Sequence, residues 1–280
     1  MSYSPQDRSM DRSLAAMIVL SAAGREKGHL LDVDPQPLAA TIVGDAAVEA
    51  AGDSLGREWL DSGGRIIQDG DEHWPAGLRS LGGAAPLLLW VRGELPSEAQ
   101  RIVAMVGSRA CSPYGRRVAR TLAGAVAECG STVVSGGATG IDASAHRGAL
   151  QAGGSTVVVA AGGAGRVYPS EHGELFAAAE RTGAVVWEHP PGARMPRAGF
   201  LRRNRLIAAM AGTTVLIEAA ERSGALNTGR TAADLGRLVL GVPGPIDAPT
   251  SAGVHRAIAD GWAALLLGAA DLCQMATPQR

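Results

Sequence analysis

A hydroxyl, a guanidinium and bare glycine amides meet at Gly107-Ser108-Arg109, where an apolar run ending at Val106 stops. Arginine suits a phosphate because its planar fork donates two hydrogen bonds at once. The pattern returns at Gly136-Gly137-Ala138-Thr139-Gly140, which ends the run Thr132–Val134 and precedes a helical pattern from Ile141. Glycine lets a backbone approach a ligand closely, and the helix that follows offers unpaired N–H groups and a positive dipole end. Two such turns in succession describe an anion-binding crevice. A third segment, Phe200-Leu201-Arg202-Arg203-Asn204-Arg205, joins an aromatic ring, guanidinium groups and an amide at a helix start. A base can stack on such a ring while the cations hold its backbone. Helical spacing puts Arg202 and Arg205 on one face and Arg203 on another, so the three do not point at one ligand.

Other chemistries are disfavoured or excluded. In Gly136–Gly140 the first glycine of a dinucleotide fingerprint falls at Ser135, and the next strand, Thr156–Ala161, ends in Gly162-Gly163 with no acid for a ribose hydroxyl. This disfavours a nicotinamide enzyme. A nucleotide-hydrolysing P-loop needs Gly-Lys-Ser/Thr, but the sole lysine, Lys27, is followed by Gly28 and His29. Asp142 and His146 are spaced i, i+4, as a catalytic pair could be, but no nucleophile accompanies them. They read as a first-turn acid stabilised by the helix dipole and a half-buried histidine. The remaining histidines are too scattered for a metal site. No cofactor is expected.

Lys plus Arg number 26 and Asp plus Glu 27, for a net charge of −1. That balance argues against nonspecific polyanion binding, but the charge is sorted along the chain. Ala99 to Ala127 contains no acid while carrying Arg101, Arg109, Arg116, Arg117 and Arg120. His189 to Ile217 contains none while carrying Arg194, Arg197, Arg202, Arg203 and Arg205. Clustered cations of this kind are the footprint of a polyanion partner.

These segments need a scaffold. Residues 1–62 read as a small helical N-terminal domain closed by Asp61-Ser62-Gly63-Gly64. Over 63–280 short apolar runs alternate with helical patterns, from Arg65–Gln68 to a closing helix at Ala263–Leu267. Such alternation predicts an α/β fold, a doubly wound, mostly parallel, Rossmann-like sheet, which binds ligands beyond the carboxyl ends of its strands. All the glycine-rich turns fall there. Cys111, Cys129 and Cys273 lack CxxC spacing and read as free thiols. The N-terminus lacks a signal-peptide layout and no apolar run is long enough to span a bilayer, so a cytoplasmic protein is expected.

GSRACSPYG (107–115), SGGATGIDASAHRGAL (135–150), VYPSEHGELF (167–176), FLRRNRLIA (200–208) and ERSGALNTGRTAADLGRLVLGVPG (221–244) together resemble the DNA-processing protein A family, also called Smf. The resemblance runs in order over roughly 64–267. It implies a non-enzymatic Rossmann-like domain that holds single-stranded DNA, forms a homodimer, and loads the RecA recombinase during DNA uptake, transformation and homologous recombination. Carried onto this chain, the strand-binding positions are Gly107, Ser108, Arg109, Gly136, Gly137, Arg197, Phe200, Arg203, Asn204 and Arg205. The family's Phe-Pro is here Phe200-Leu201, and its Gly-x-Gly-x-Asp is here Gly163-Ala164-Gly165-Arg166 without the acid. The winged-helix domain that many members carry at the C-terminus is not expected here. The alternative readings are a phosphoribohydrolase-like enzyme, whose PGGxGTxxE run this chain lacks, and a sensor that binds a small nucleotide in the same crevice.

Overall fold

The computed structural model describes residues 15–18, 54–97, 100–193 and 198–275. Nine strands form one sheet in the order β1-β2-β6-β5-β4-β3-β7-β8-β9. They are β1 (Arg65–Gln68), β2 (Leu88–Gly93), β3 (Ile102–Val106), β4 (Thr132–Gly136), β5 (Thr156–Val159), β6 (Ala184–Trp187), β7 (Thr213–Leu216), β8 (Leu238–Gly241) and β9 (Ala264–Leu265). From β6 through β9 every pairing is parallel, while β1 and β2 run antiparallel at one edge. The helices are α1 (54–61), α2 (Pro113–Glu128), α3 (Ile141–Gln151), α4 (Gly173–Thr182), α5 (Ala198–Met210), α6 (Gly224–Asp234), α7 (Pro249–Ala259) and α8 (Ala269–Met275). The doubly wound, mostly parallel sheet is as the sequence predicts.

Successive side chains of a strand point to opposite faces. Accordingly Val103 and Met105 of β3 join a core with Leu122 and Val126 of α2 and Ile141 of α3. Their neighbours Ala104 and Val106 join a second core with Leu206 and Ile207 of α5. Because both faces are covered, the central strands are buried almost throughout, wholly apolar in β3 and interrupted only by Thr or Ser in β4, β5 and β7. A third cluster packs Trp90, Val158 and Trp187 against Phe176 of α4. The described parts of 1–62 contribute Ile18 and Trp59 to this cluster. The rest of the expected N-terminal domain lies outside the described residues.

The structure corrects three expectations. The helix expected over Ala263–Leu267 is instead β9, an exposed edge strand paired with β8 at Leu240–Ala264 and Gly241–Leu265. The helical pattern over Gly229–Leu235 predicts a helix there, but α6 begins earlier, at Gly224, because the Ser223 side chain caps it by accepting from Ala225 N at 3.1 Å. Finally, Cys129 and Cys273 are not free thiols: they form a disulfide across a separation of 144 residues, with Cα atoms 6.2 Å apart. Leu272 of α8 sits in the same core as Val126 of α2, which brings the next residue, Cys273, against the end of α2. Cys111 is free and buried.

Candidate nucleic-acid interface

The carboxyl ends of β3, β4 and β5 meet helix α5 around a crevice of about 200 Å³. Arg109, Gly137, Thr139, Tyr168, Phe200 and Arg203 are among its lining residues. The loop carrying Arg109 is pinned from both sides. Ser108 N donates to the Glu218 carbonyl at 2.7 Å, and Ile141 N donates to the Ser108 carbonyl at 3.1 Å. Glu218, buried just past β7, also accepts from Ser112 N at 2.8 Å and from the Ser112 hydroxyl. Gly140 closes the cradle with φ 82°, and a Cβ there would run into the Ser108 and Arg109 carbonyl oxygens.

Arg109 is exposed, and its guanidinium lies 5.4 Å from the Phe200 ring centre. The Phe200 ring is in turn 5.4 Å from that of Tyr168, tilted by 59°. Tyr168, 48% exposed, is the more open of the two rings. Beneath them Arg203 is 6% exposed, donating from Nη1 to the Val159 carbonyl and from Nε to Asn204 Oδ1 at 3.2 Å. Burial draws its pKa down to about 10, opposed by the charge of Asp142, so it remains a cation at neutral pH. A Cβ on Gly136 would sit 2.5 Å from Asp142 Oδ2 and 2.6 Å from the Arg203 terminal nitrogens. Only glycine leaves that acid and that cation facing each other. Burial lifts the Asp142 carboxyl to about 6, against the lowering influence of Arg203, the Ala138 amide, Ser135 and Arg109. The arrangement presents a fixed buried cation, a surface cation lying over an aromatic ring and open aromatic surface in one concavity.

The family model described as DNA recombination-mediator protein A matches residues 65–277. The chain belongs to that family. It is 45% identical over 224 residues to a DNA processing protein DprA of Mycobacterium tuberculosis, covering 76% of this chain and 57% of the relative. It is 41% identical over 177 residues to Protein Smf of Escherichia coli, covering 63% and 47%. The chain thus spans about half the length of the curated relatives it matches. The crystal structure of DNA processing protein A from Streptococcus pneumoniae superposes with a TM-score of 0.75 at 29% identity, covering 96% of this chain and 95% of that one. The DNA processing protein A of Helicobacter pylori, for which a single-stranded DNA binding mode is described, shares the fold at a TM-score of 0.67 and 22% identity, over 76% and 94% of the two chains.

Not all the residues singled out in the sequence reach the crevice. Arg109, Gly137, Phe200 and Arg203 line it, and Gly136 lies under Arg203. Gly107 and Ser108 shape the loop through their backbones. Asn204 instead ties α5 to α6, donating from Nδ2 to the Gly224 carbonyl at 3.2 Å. Arg205 is engaged elsewhere: its terminal nitrogens donate to both Glu188 carboxylate oxygens at 2.6 and 2.9 Å, and its Nε donates to the Ala84 carbonyl at 2.8 Å. Burial acts to raise Glu188, but the Arg205 hydrogen bonds and charge, aided by His189 and Arg202, leave it below the usual carboxylate range. Arg197 lies outside the described residues.

His146 is fully buried rather than half-buried. Its Nε2 donates to the Gly136 carbonyl at 2.8 Å, and Nδ1 faces the Thr156 hydroxyl at 2.6 Å. Burial pushes it down to about 4, so it is neutral and holds β4 to α3 and β5. Among the described residues no group of acids, cysteines and histidines could hold a metal ion, and no helix is long and apolar enough to cross a membrane. No sequence signal assigns a role to Tyr168, Glu188 or Glu218, although Tyr168 stands in a segment carrying the family resemblance.

Proposed function

We propose that this protein binds single-stranded DNA in the crevice at the carboxyl ends of β3, β4 and β5, and that it acts as a recombination mediator rather than an enzyme. The observation that carries the reading is the stack of Arg109 over Phe200 beside Tyr168, with Arg203 buried below. A phosphate placed at the mouth meets Arg109 and the amides of the Gly136–Gly140 turn, and an unpaired base meets the open Tyr168 ring. A duplex keeps its bases stacked inward and cannot use that ring. Family membership supports the further steps of the reading: action in the cytoplasm as a homodimer, and loading of RecA recombinase onto the bound strand in DNA uptake and homologous recombination.

The test is a fluorescence-anisotropy titration of oligo-dT and of a duplex at stepped salt concentrations. Affinity for the single strand should exceed that for the duplex and fall with salt by a log–log slope of about 0.7 per phosphate neutralised. Arg109→Ala should weaken oligo-dT binding by about 1–3 kcal/mol, the loss of a charge-assisted hydrogen bond to a phosphate. Equal affinity for duplex and single strand, or an unaffected Arg109→Ala variant, overturns the assignment. Displacement of oligo-dT by a mononucleotide at comparable concentration would instead favour a small-nucleotide sensor.

A further inference from the structure

Among the described residues lining the crevice, Glu171 is the only acid. It is exposed, and its carboxylate has no hydrogen-bond or ion-pair partner among the described residues. Its position is nevertheless fixed. It belongs to the short 3-10 turn Ser170–His172, and the next residue, His172, is buried with Nδ1 donating to the Gly137 carbonyl at 2.9 Å. That bond fastens the acid-bearing turn to the glycine turn. Tyr168, three positions earlier, carries the open ring, so ring and carboxylate come from one anchored segment.

A carboxylate beside Arg109 and Arg203 repels phosphate. The part of a ligand that settles against Glu171 must therefore carry N–H donors. In a nucleotide those are found on the base edge. Cytosine N4 and adenine N6 present donors, whereas thymine presents the O4 acceptor at the corresponding place. A base stacked on Tyr168 turns one such edge toward the neighbouring residues of its own segment.

We infer that Glu171 is a specificity-determining residue, accepting a hydrogen bond from the exocyclic amino group of a cytosine or adenine held on the Tyr168–Phe200 rings. The crevice then prefers amino-bearing bases to thymine. The inference rests on the proposed binding of single-stranded DNA in this crevice. Because Glu171 is exposed and supports no other side chain, its variants should fold.

The experiment compares oligo-dC with oligo-dT at one salt concentration and mildly alkaline pH, for the wild type, Glu171→Ala and Glu171→Gln. The wild type should favour oligo-dC by roughly five- to tenfold, the yield of one charged base-edge hydrogen bond in a wet site. Glu171→Ala should bring the ratio close to one while tightening oligo-dT, since a negative charge has left a phosphate site. Glu171→Gln, which can also donate to thymine O4, should do the same or reverse the preference. A wild-type ratio of one, or a ratio unchanged in Glu171→Ala, overturns the inference while leaving strand binding intact. A wild type that binds neither oligonucleotide overturns the binding reading itself. A ratio abolished by EDTA overturns the direct contact in favour of a bridging divalent cation.

Discussion

Arg205→Ala separates an arginine that holds the fold from one that holds a ligand. The Arg205 and Glu188 side chains are 11% and 9% exposed and joined at 2.6 Å. The same guanidinium donates to the Ala84 and Arg202 carbonyls at 2.8 and 3.0 Å, so it bridges the segment after β1, the end of β6 and α5. Truncation leaves Glu188 charged, buried and without its main cation, which typically costs about 3–5 kcal/mol. In a domain of this size each kcal/mol shifts Tm by about 2–4 °C, so the loss should be about 6–20 °C. The pH profile should change sign as well. In the wild type Glu188 sits below its unfolded value of about 4.3, so its contribution is present above that pH and is lost as pH falls through the lower folded value. Without Arg205 burial dominates and raises the carboxyl. The contribution is then present below the unfolded value and is lost as pH rises through the folded one. Urea denaturation across pH 3–8 reads both effects, and Arg205→Met with Glu188→Leu should recover most of the stability. A variant with wild-type Tm and weakened oligonucleotide binding would refute the reasoning and return Arg205 to the ligand.

Asp142→Asn should remove a pH dependence of the opposite kind. The raised folded pKa of about 6 means that Asp142 favours the folded state below about pH 4, an advantage lost as pH rises to about 6; urea midpoints of wild type and variant should diverge across that interval, and parallel curves would contradict the assignment. Gly140→Ala should lower Tm and weaken oligo-dT binding together, because a Cβ would run into the Ser108 and Arg109 carbonyls; the backbone at φ 82° and ψ −123°, open essentially to glycine, alone costs about 1–3 kcal/mol. Reduction by dithiothreitol, or Cys129→Ser, should destabilise by about 2–4 kcal/mol through the long loop that the disulfide closes, and calorimetry showing one Tm with and without reductant would count against it.

The strand ends were legible because apolar runs stop abruptly at glycine, as at Val106-Gly107 and in the Gly136-Gly137 turn, and sheet topology then sets those stops side by side. Helix α2 was legible from Ser112-Pro113, a cap followed by a proline in the first turn. The edge strand β9 was not. Ala263–Leu267 is an alanine–leucine run with helical composition, and only pairing with β8 makes it extended. The role of Arg205 was hidden for a related reason. His189–Ile217 is free of acids in sequence but not in space, since Glu188 ends one residue before the window and the fold lays it against α5. The disulfide was hidden because 144 residues separate its cysteines and only the docking of α8 on α2 brings them together.

The buried acids just past the strand ends and at the start of α3 are arranged to leave one lining cation over. Glu188 and Glu218 bracket the second acid-free window in sequence, and each follows closely on a strand end. Glu188 is taken up by Arg205, and Glu218 by the Ser112 amide and hydroxyl. Asp142 faces Arg203 across Gly136. Each acid thus fixes a piece of backbone or a buried cation, while Arg109 is held in place through the amide and carbonyl of Ser108 and keeps its guanidinium at the surface. A chain of net charge −1 can in this way present a positive concavity. Its strength depends on geometry more than on the count of arginines: Arg203 sits at a fixed depth, and with the Ser108 backbone pinned the proposed phosphate contact asks only a side-chain adjustment of Arg109. The same logic explains why Glu171 stands out, for it is the one acid among the described residues lining the crevice and its carboxylate has no partner among them.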